Sequence, residues 1–385
     1  MTENEKNALL PAGLRDVLPG DASLEGELVE RVMVFFGQNG YERVKTPLIE
    51  FEDSLLSGAG VALAPQTFRL MDPVSQRMMA VRADITPQIA RIARTRLGEA
   101  SRPLRLSYSG EVLRVRGSQL RPERQILQVG AELIGSKSPS ADTEIIFLAT
   151  DAINSLGCND FSVDLTVPRL VPSILEQFGF KENELKAIRM GLDRKDPEAI
   201  KAHAGHATKT LSALFDATGS VDEAFAALKK LSLPESAATE RDRLEEIVNL
   251  LRRESPSLRL TLDPVENRGF EYHTGIGFTI FAGGIAGELA RGGRYRVKGD
   301  VPENEERATG VTLYVDTILG MLRSSRGGRR ILLPRNTSRG IKLDLQKDGW
   351  ITVSSLDDNV DLSEQAKHLA CSHLLGETGP ELLKG

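Results

Sequence analysis

Apolar residues recur along this chain with two different periods, and these periods predict its helices and strands. Residues 22–40 carry apolar side chains at helical spacing, namely Leu24, Leu28, Val32, Phe35 and Phe36. We therefore predict an amphipathic helix that ends at Gly40. Further helices are predicted at 87–96, after the cap residue Thr86, and at 139–155. Residues 41–44 are strand-like and are followed by Pro47, which suits a sheet edge or an interface.

From about residue 166 to 255 the pattern changes to consecutive helices. They are predicted at 168–178, 181–190, 196–203, 207–215, 221–230 and 236–254. Strands then return at 258–264, 269–281, 286–294 and 309–315, the first three antiparallel because the turns between them are short. We expect a core made of residues 1–165 and 256–325, with residues 166–255 as a helical insertion. Residues 330–385, with two strand-like runs around a helix at 338–348, are expected to form a small C-terminal α/β unit.

The segment 106–132 is the most informative part of the pattern. It predicts two strands joined by a basic loop, which carries Arg114, Arg116, Arg121 and Arg124. The second strand places Gln128 and Glu132 on one face, because side chains four apart in a strand share a face. A strand face with an amide and a carboxylate beside arginines indicates either a solvated surface hairpin or a site for a polar ligand.

Composition narrows the class of protein. The chain has 385 residues, 40% hydrophobic and 27% charged, with a net charge of −5, which argues against a dedicated nucleic-acid binder. Cys158 and Cys371 show no pairing pattern and the five histidines show no zinc spacing, so we expect a reducing compartment and no metal. The N-terminal residues lack the pattern of a signal peptide, and no apolar run approaches the length of a membrane span. We therefore expect a cytoplasmic protein without a membrane partner.

Four further stretches carry chemically useful groups. In residues 82–87, Asp84 follows a strand and opens a helix, where it either accepts from an ammonium group or caps the helix. Residues 268–275 place Arg268 and Tyr272 on one face of a glycine-containing strand, which indicates a pocket wall or a tyrosine-rich core strand. Residues 291–295, RGGRY, fit an anion site or a tight turn. Residues 309–317 are an apolar strand that enters a helix with no cation at the junction.

These stretches, in this order and with the hairpin, resemble the catalytic core of class II aminoacyl-tRNA synthetases, and more narrowly that of histidyl-tRNA synthetases. The resemblance covers about residues 9–322. Residues 11–16 resemble that family's N-terminal segment, 41–47 its dimer-forming motif 1, and 112–114 its motif 2, while 268–275 and 292–295 resemble two stretches peculiar to the histidyl family. The resemblance implies an α+β fold in which an antiparallel sheet is flanked by helices and interrupted by a helical insertion.

The sequence departs from the synthetases where they bind ATP. Arg116 stands in place of a motif 2 glutamate, so a carboxylate acceptor is replaced by a cation. Thr317, beside Asp316, stands where motif 3 has an ATP-clamping arginine, and Tyr314 replaces a glycine against which ATP lies. Because phosphoryl-type chemistry relies on positioning and charge, we expect no activation of ATP, no catalytic residue and no cofactor.

The histidine-binding half of the resemblance is kept. It implies a histidine site that consists of Asp84, Thr86, Arg114, Gln128, Glu132, Arg268, Tyr272 and His273. Asp84 and Glu132 are assigned to the ammonium and imidazole ends of histidine in either order, and Arg268 to its carboxylate. His273 stands where the family has the second tyrosine of a pair.

A synthetase-like chain that keeps this pocket, loses the ATP site and has a C-terminal unit too short for an anticodon-binding domain resembles the regulatory subunits of ATP phosphoribosyltransferase. The resemblance implies a non-catalytic subunit that acts in histidine biosynthesis with L-histidine as its inhibitory effector and without tRNA. It further implies dimerisation through motif 1 and a hetero-octamer with four short catalytic subunits. One alternative is an active histidine-activating synthetase or ligase without an anticodon-binding domain. Another is a binding module for a different partner, such as RNA or a kinase.

Overall fold

The computed structural model describes residues 9–117, 122–266, 273–284, 287–297, 305–322, 329–357 and 361–383. They form two compact units, residues 1–321 and residues 322–385. The described strands of the first unit are β1 Glu42–Arg43, β2 Ile49–Phe51, β3 Arg69–Met71, β4 Met78–Val81, β5 Leu104–Leu113, β6 Gln125–Ile134, β7 Phe161–Thr166, β8 Gly219–Ser220, β9 Leu260–Asp263, β10 His273–Ala282, β11 Glu288–Val297 and β12 Glu306–Tyr314.

Nine of these described strands form one sheet in the order β1-β5-β6-β12-β11-β10-β7-β9-β8. All neighbours from β5 to β7 run antiparallel, whereas β1 joins β5 and β9 joins β7 in parallel. The strands β2, β4 and β3 form a separate small sheet. The predicted fold class, α+β with a mainly antiparallel sheet flanked by helices, is confirmed.

The described α-helices that contain residues of the first unit are α1 Asp21–Gln38, α2 Glu52–Leu55, α3 Thr86–Thr95, α4 Pro139–Ser155, α5 Leu170–Leu175, α6 Glu182–Asp193, α7 Pro197–His203, α8 Thr208–Asp216, α9 Val221–Leu228, α10 Glu235–Glu254 and α11 Val315–Leu322, and 3-10 turns lie at Gly58–Gln66, Glu176–Phe178 and Gly205–Ala207. Helix α1 buries Leu28, Val32 and Phe36, the stripe that its sequence pattern predicts. Helix α4 has the predicted bounds and begins after Ser138, whose side chain accepts from the Ser140 N–H.

Two predictions about individual elements are wrong. Strand β9 runs opposite to β10 but is not its neighbour, because β7, which the sequence pattern did not reveal, lies between them. Thr86 is not the cap of α3 but its first residue, and the cap position is occupied by Ile85. The Thr86 N–H is instead satisfied by Asp84, whose Oδ1 accepts from it at 2.9 Å.

The second unit contains a four-stranded sheet among its described residues, in the order β14-β13-β15-β16. Its elements are β13 Arg330–Leu333, α12 Arg339–Lys347, β14 Ile351–Ser354, α13 Leu362–His368, β15 His373–Gly376 and β16 Gly379–Leu382. The two predicted strands and the helix between them are present, and β15, β16 and α13 are additional. Its core is small: Ile331, Leu333 and Leu345 pack on one side of the sheet, and Leu332, Ala366 and Cys371 form a second cluster.

Candidate functional site

A buried polar cluster lies where the first turn of α3 meets the centre of the large sheet. Strand β6 brings Gln128 and Glu132 to one face, as their spacing predicts. Opposite them on β12 stand Tyr314 and Gly310 respectively. Both polar side chains are almost inaccessible, Gln128 at 0% and Glu132 at 1% exposure, so the hairpin is not a solvated surface feature.

Three hydroxyl groups hold the Glu132 carboxylate. Thr86 Oγ1 donates to Glu132 Oε1 at 3.0 Å, and the Tyr108 hydroxyl lies 3.4 Å from the same oxygen. The Tyr295 hydroxyl donates to Oε2 at 2.9 Å. Tyr108 is also 3.0 Å from the hydroxyl of Thr312. Because each hydroxyl comes from a different element, the carboxylate joins α3 to strands β5, β6 and β11.

The Glu132 carboxyl group has an unusual affinity for protons. Burial raises its pKa to about 8, because a charged carboxylate is poorly solvated in the interior. The hydroxyls of Tyr295 and Thr86 oppose this effect, since they donate to the charged form, and the nearby Asp84 adds to it. Glu132 therefore changes its protonation near neutral pH, and a ligand that donates hydrogen bonds would favour its charged form.

Glycines make the space for this cluster. A Cβ on Gly310 would overlap the Glu132 carboxylate and lie 2.9 Å from the carbonyl oxygen of Ala131. A Cβ on Gly130 would overlap the ring of Tyr108 in the same way. These two positions need glycine because neighbouring side chains lie directly over their backbone.

Asp84 and Gln128 form a second polar pair at the more accessible edge of the cluster. Gln128 Nε2 donates to Asp84 Oδ2 at 3.1 Å, while Gln128 Oε1 accepts from the Ile85 N–H at 3.1 Å. Asp84 is only partly buried. Its Oδ1 satisfies the first turn of α3, so the interpretation of Asp84 as a helix-capping group is correct for that oxygen, and Oδ2 faces Gln128.

The remaining predicted site residues lie around this cluster or outside the described part of the chain. Arg114 is half-buried, and its Nε donates to the carbonyl oxygen of Ala83 at 3.3 Å, next to Asp84. His273 is buried and pairs with Tyr295 across β10 and β11. Arg268 and Tyr272 lie outside the described residues.

Sequence reasoning missed three members of the cluster, Tyr108, Thr312 and Tyr295. Tyr295 belongs to the RGGRY stretch, but its partner on another strand is not given by that stretch alone. Tyr108 and Thr312 lie opposite Gly130 in the register of β5, β6 and β12. The available signal was this glycine between Gln128 and Glu132 on the same strand face, since a missing side chain there leaves room for groups from both neighbouring strands.

Carboxylates gather at the end of the sheet where the resemblance predicts the altered ATP site. Asp316 forms an ion pair with Arg15 from the N-terminal segment at 3.1 Å. Burial raises the pKa of Glu111, and the charges of Glu25 and Asp316 raise it further, so three carboxylates share this region. Arg116 is exposed.

Tyr314 and Thr317 complete the change at this end. Tyr314 is 8% exposed and packs in the same hydrophobic cluster as Ile85 and Ile126. A ring therefore occupies the position of the glycine on which ATP lies in the synthetases. Thr317, on α11, lies near Gly287, at 3.5 Å from the Cβ position of that glycine, and contributes no positive charge.

The large, mainly antiparallel sheet with its flanking helices is the fold of the histidyl-tRNA synthetase class. The family model described as histidyl-tRNA synthetase matches residues 13–318. A structure of histidyl-tRNA synthetase from Nostoc superposes with a TM-score of 0.77, at 18% identity, and covers 96% of this chain and 91% of that chain. A Bacillus halodurans structure is described as an ATP phosphoribosyltransferase regulatory subunit/histidyl-tRNA synthetase. It superposes with a TM-score of 0.80 at 24% identity and covers 94% of this chain and 96% of that chain.

Curated sequences narrow this class further. A protein from Paramagnetospirillum magneticum is 50% identical over 98% of this chain and 99% of its own length. A protein from Rhodospirillum centenum is 53% identical over 95% of this chain and 94% of its own length. Both are named ATP phosphoribosyltransferase regulatory subunit, and the chain belongs to this family.

The described residues offer neither a metal site nor a membrane-spanning helix. Within these ranges no three His, Cys, Asp or Glu side chains are grouped so that they could hold a metal ion. None of the described helices combines the length and the apolar character that a membrane crossing requires.

Proposed function

We propose that this protein is a non-catalytic regulatory subunit of ATP phosphoribosyltransferase that binds L-histidine in the cluster around Glu132 and Asp84. One observation carries the proposal. The chain has a buried carboxylate, held by hydroxyl groups, where the resemblance predicts the amino-acid site, while three carboxylates share the region where it predicts the altered ATP site. The names of relatives that are about half identical along almost their whole length support the same function.

The depth of the two carboxylates supports one orientation of the ligand. Asp84 is partly accessible and lies beside Gln128, so it suits the ammonium group, which keeps its charge and part of its hydration. Glu132 is buried among hydroxyls and suits the flat imidazole ring, which carries N–H donors on an otherwise apolar body. In this proposal Arg114 lies near the carboxylate end of histidine, where Arg268 and Tyr272 are also expected. His273 is expected beside the imidazole ring, because it pairs with Tyr295.

Inhibition requires that histidine binds more tightly to the inhibited assembly than to the active one. The cluster is suited to such a difference because it ties α3 to three strands, so a small shift of α3 changes several contacts of the ligand at once. The catalytic subunit is expected to be the short form, in a cytoplasmic hetero-octamer with four copies of each chain and without tRNA. Self-association through motif 1 is supported by the position of β1 at the edge of the large sheet and by the exposure of Leu48.

Reconstitution tests the whole proposal. The chain is mixed with a short ATP phosphoribosyltransferase subunit, and the rate is measured with and without L-histidine. We expect activity to depend on this chain and to fall with histidine. Glu132→Gln should still activate the partner but respond to histidine at least about tenfold more weakly, since a hydrogen bond to a charged group is lost. Glu246→Gln, which removes an exposed carboxylate on α10, is the matched control.

Two outcomes would contradict the proposal in different ways. Activity of the partner that is independent of this chain would refute the role as a regulatory subunit. Activation that keeps its full histidine response in Glu132→Gln would refute only the assigned site. The alternative of an active synthetase or ligase predicts histidine-dependent ATP–pyrophosphate exchange, which we expect to stay at background because of Thr317, Asp316 and Arg116.

A further inference from the structure

A second polar cavity, of about 230 Å³, lies on the face of the sheet opposite Glu132. Arg294 lines it, and Arg294 points to the opposite side of β11 from its neighbour Tyr295, which contacts Glu132. The other walls come from Arg243 on α10, Lys137 in the connection from β6 to α4, and Arg307 on β12. The cavity therefore lies where α10 meets the sheet.

Positive charge dominates the walls of this cavity. Arg294 is neutralised, because its Nε donates to both oxygens of the buried Asp142 at 2.9 and 3.0 Å, and Arg243 shares the same carboxylate at 3.3 Å. Arg307 is different: its guanidinium donates to the Thr274 hydroxyl at 3.0 Å, and among the described residues it forms no ion pair. The ammonium group of Lys137 also has no ion pair within the described part of the chain.

The one acidic side chain on the wall does not balance these cations. Glu240 forms no ion pair with the described residues, and burial raises the pKa of its carboxyl group, although the charges of Arg243, Arg169 and Arg307 oppose this rise. Burial lowers the pKa of Arg307, and the positive charges of Arg296, Arg294 and Arg243 lower it further, while Glu305 acts in the opposite direction. The described cations therefore repel one another across the cavity, and an anion placed between them would relieve that repulsion.

One hydrogen-bond donor of a wall residue also lacks an acceptor among the described residues. The Nε atom of Arg243 is buried and has no hydrogen-bond partner in the described structure. With the Thr274 hydroxyl, the Lys137 ammonium and the guanidinium of Arg307, it makes a set of donors from four different segments. An oxyanion with several acceptor oxygens matches this set, whereas a neutral or cationic ligand does not.

We propose that this cavity is a binding site for phosphate or a diphosphate group, which links α10 to the sheet through Arg243, Lys137 and Arg307. The volume of the cavity fits a small ligand, because pockets that bind larger organic molecules begin at roughly 300 Å³. A bound oxyanion would fix the position of α10, and with it the helical segment that α10 ends, relative to the sheet.

Calorimetry on the whole chain tests the site, with inorganic phosphate and pyrophosphate as separate probes and sodium chloride of equal ionic strength as the reference. Saturable binding of one of the probes is expected, and the probe that binds more tightly identifies the ligand as a mono- or a diphosphate. The proposal would be overturned if the heat of binding did not saturate, or if sodium chloride gave the same heat. The measured heat would then reflect non-specific screening of charge rather than a site.

Single substitutions distinguish the effect of the cavity's charges on anion binding from effects on folding. Lys137→Met and Arg307→Gln should each weaken binding at least about tenfold, because each removes a charge-assisted hydrogen bond. Lys186→Met, on the exposed side of α6, is the matched control and should bind like the wild type. Arg307→Lys should bind better than Arg307→Gln if charge is what the site provides. Unchanged affinity in both cavity variants would refute the assignment, and Lys137 is exposed, so its replacement is expected to leave folding intact.

Discussion

Replacement of Glu132 by glutamine should change how the stability of this protein depends on pH. In the unfolded chain this carboxyl group ionises near pH 4.5, and in the folded protein burial raises its pKa to about 8. Below pH 4.5 it is protonated in both states and adds no pH dependence. Between these values the unfolded chain releases the proton while the folded protein keeps it, so stability falls as pH rises. Above about pH 8 both states are ionised and the loss is complete.

The size of the effect follows from the two pKa values. Each pH unit in the window costs about 1.4 kcal/mol, so from about pH 5 to about pH 7.5 the wild type should lose about 3 kcal/mol through this group. Glu132→Gln cannot titrate. Its amide oxygen accepts on one side of the cluster, and its NH2 group donates to a hydroxyl on the other side, which turns to accept. The free energy of unfolding of the wild type minus that of the variant should therefore fall by about 3 kcal/mol over this range.

Urea unfolding of the full chain at several pH values measures this difference, with the protein concentration held constant because the proposed self-association would also contribute to stability. When the free energy of unfolding of the variant is subtracted from that of the wild type, the contributions of all groups that titrate equally in both proteins cancel. Glu246→Gln, the exposed control on α10, should give a difference that stays constant with pH. If the difference for Glu132→Gln is equally constant, then Glu132 is ionised in the folded protein and the account of the site given above is wrong.

Three other predictions concern the two faces of the sheet. Gly310→Ala should cost about 1–3 kcal/mol of stability and abolish histidine binding, because its Cβ overlaps the Glu132 carboxylate, whereas Gly26→Ala, with open space around it, should do neither in thermal unfolding and calorimetry. Arg294→Leu should cost about 3 kcal/mol, since it leaves the buried Asp142 carboxylate with only the 3.3 Å ion pair to Arg243, and a second change, Asp142→Asn, should restore part of this loss in urea unfolding. In the complex one proton is held by the pair of imidazole and Glu132, as an imidazolium ring facing a carboxylate. Histidine affinity should therefore be greatest between the pKa of free imidazole, about 6.5, and that of Glu132, about 8, because the separate partners then also hold one proton and none is exchanged with solvent. It should fall up to tenfold per pH unit on either side, and calorimetry that shows affinity still rising above pH 8 would contradict the pairing of imidazole with Glu132.

Much of the fold was predictable because local patterns determine it. The helical stripe of α1, the bounds of α4 and the two strands of the hairpin follow from spacing within one element. The order of strands was not predictable in the same way. Strand β7 lies between β9 and β10 although it is far from both in sequence, and no local period contains that information.

The candidate site shows the same division. The common face of Gln128 and Glu132 follows from the period of a strand. The hydroxyls of Tyr108 and Tyr295 that meet Glu132 depend on the register of β5 and β11 with their neighbours, which a single strand does not reveal. The role of Asp84 was only half predictable, because its two oxygens serve different groups, the first turn of α3 and the Gln128 amide.

The amino-acid half and the ATP half of this fold differ in how strongly they are tied to the core. Glu132 sits under Gly310 and among hydroxyls from several elements, so a change there disturbs packing as well as binding. Arg116 is exposed and Thr317 only partly buried, so residues at these two positions are able to change with little effect on the interior, whereas Tyr314 is part of the core. A synthetase-like fold is therefore able to lose its ATP chemistry through such positions and keep a rigid amino-acid site. That separation is what a sensor requires, since its ligand must be bound and released unchanged.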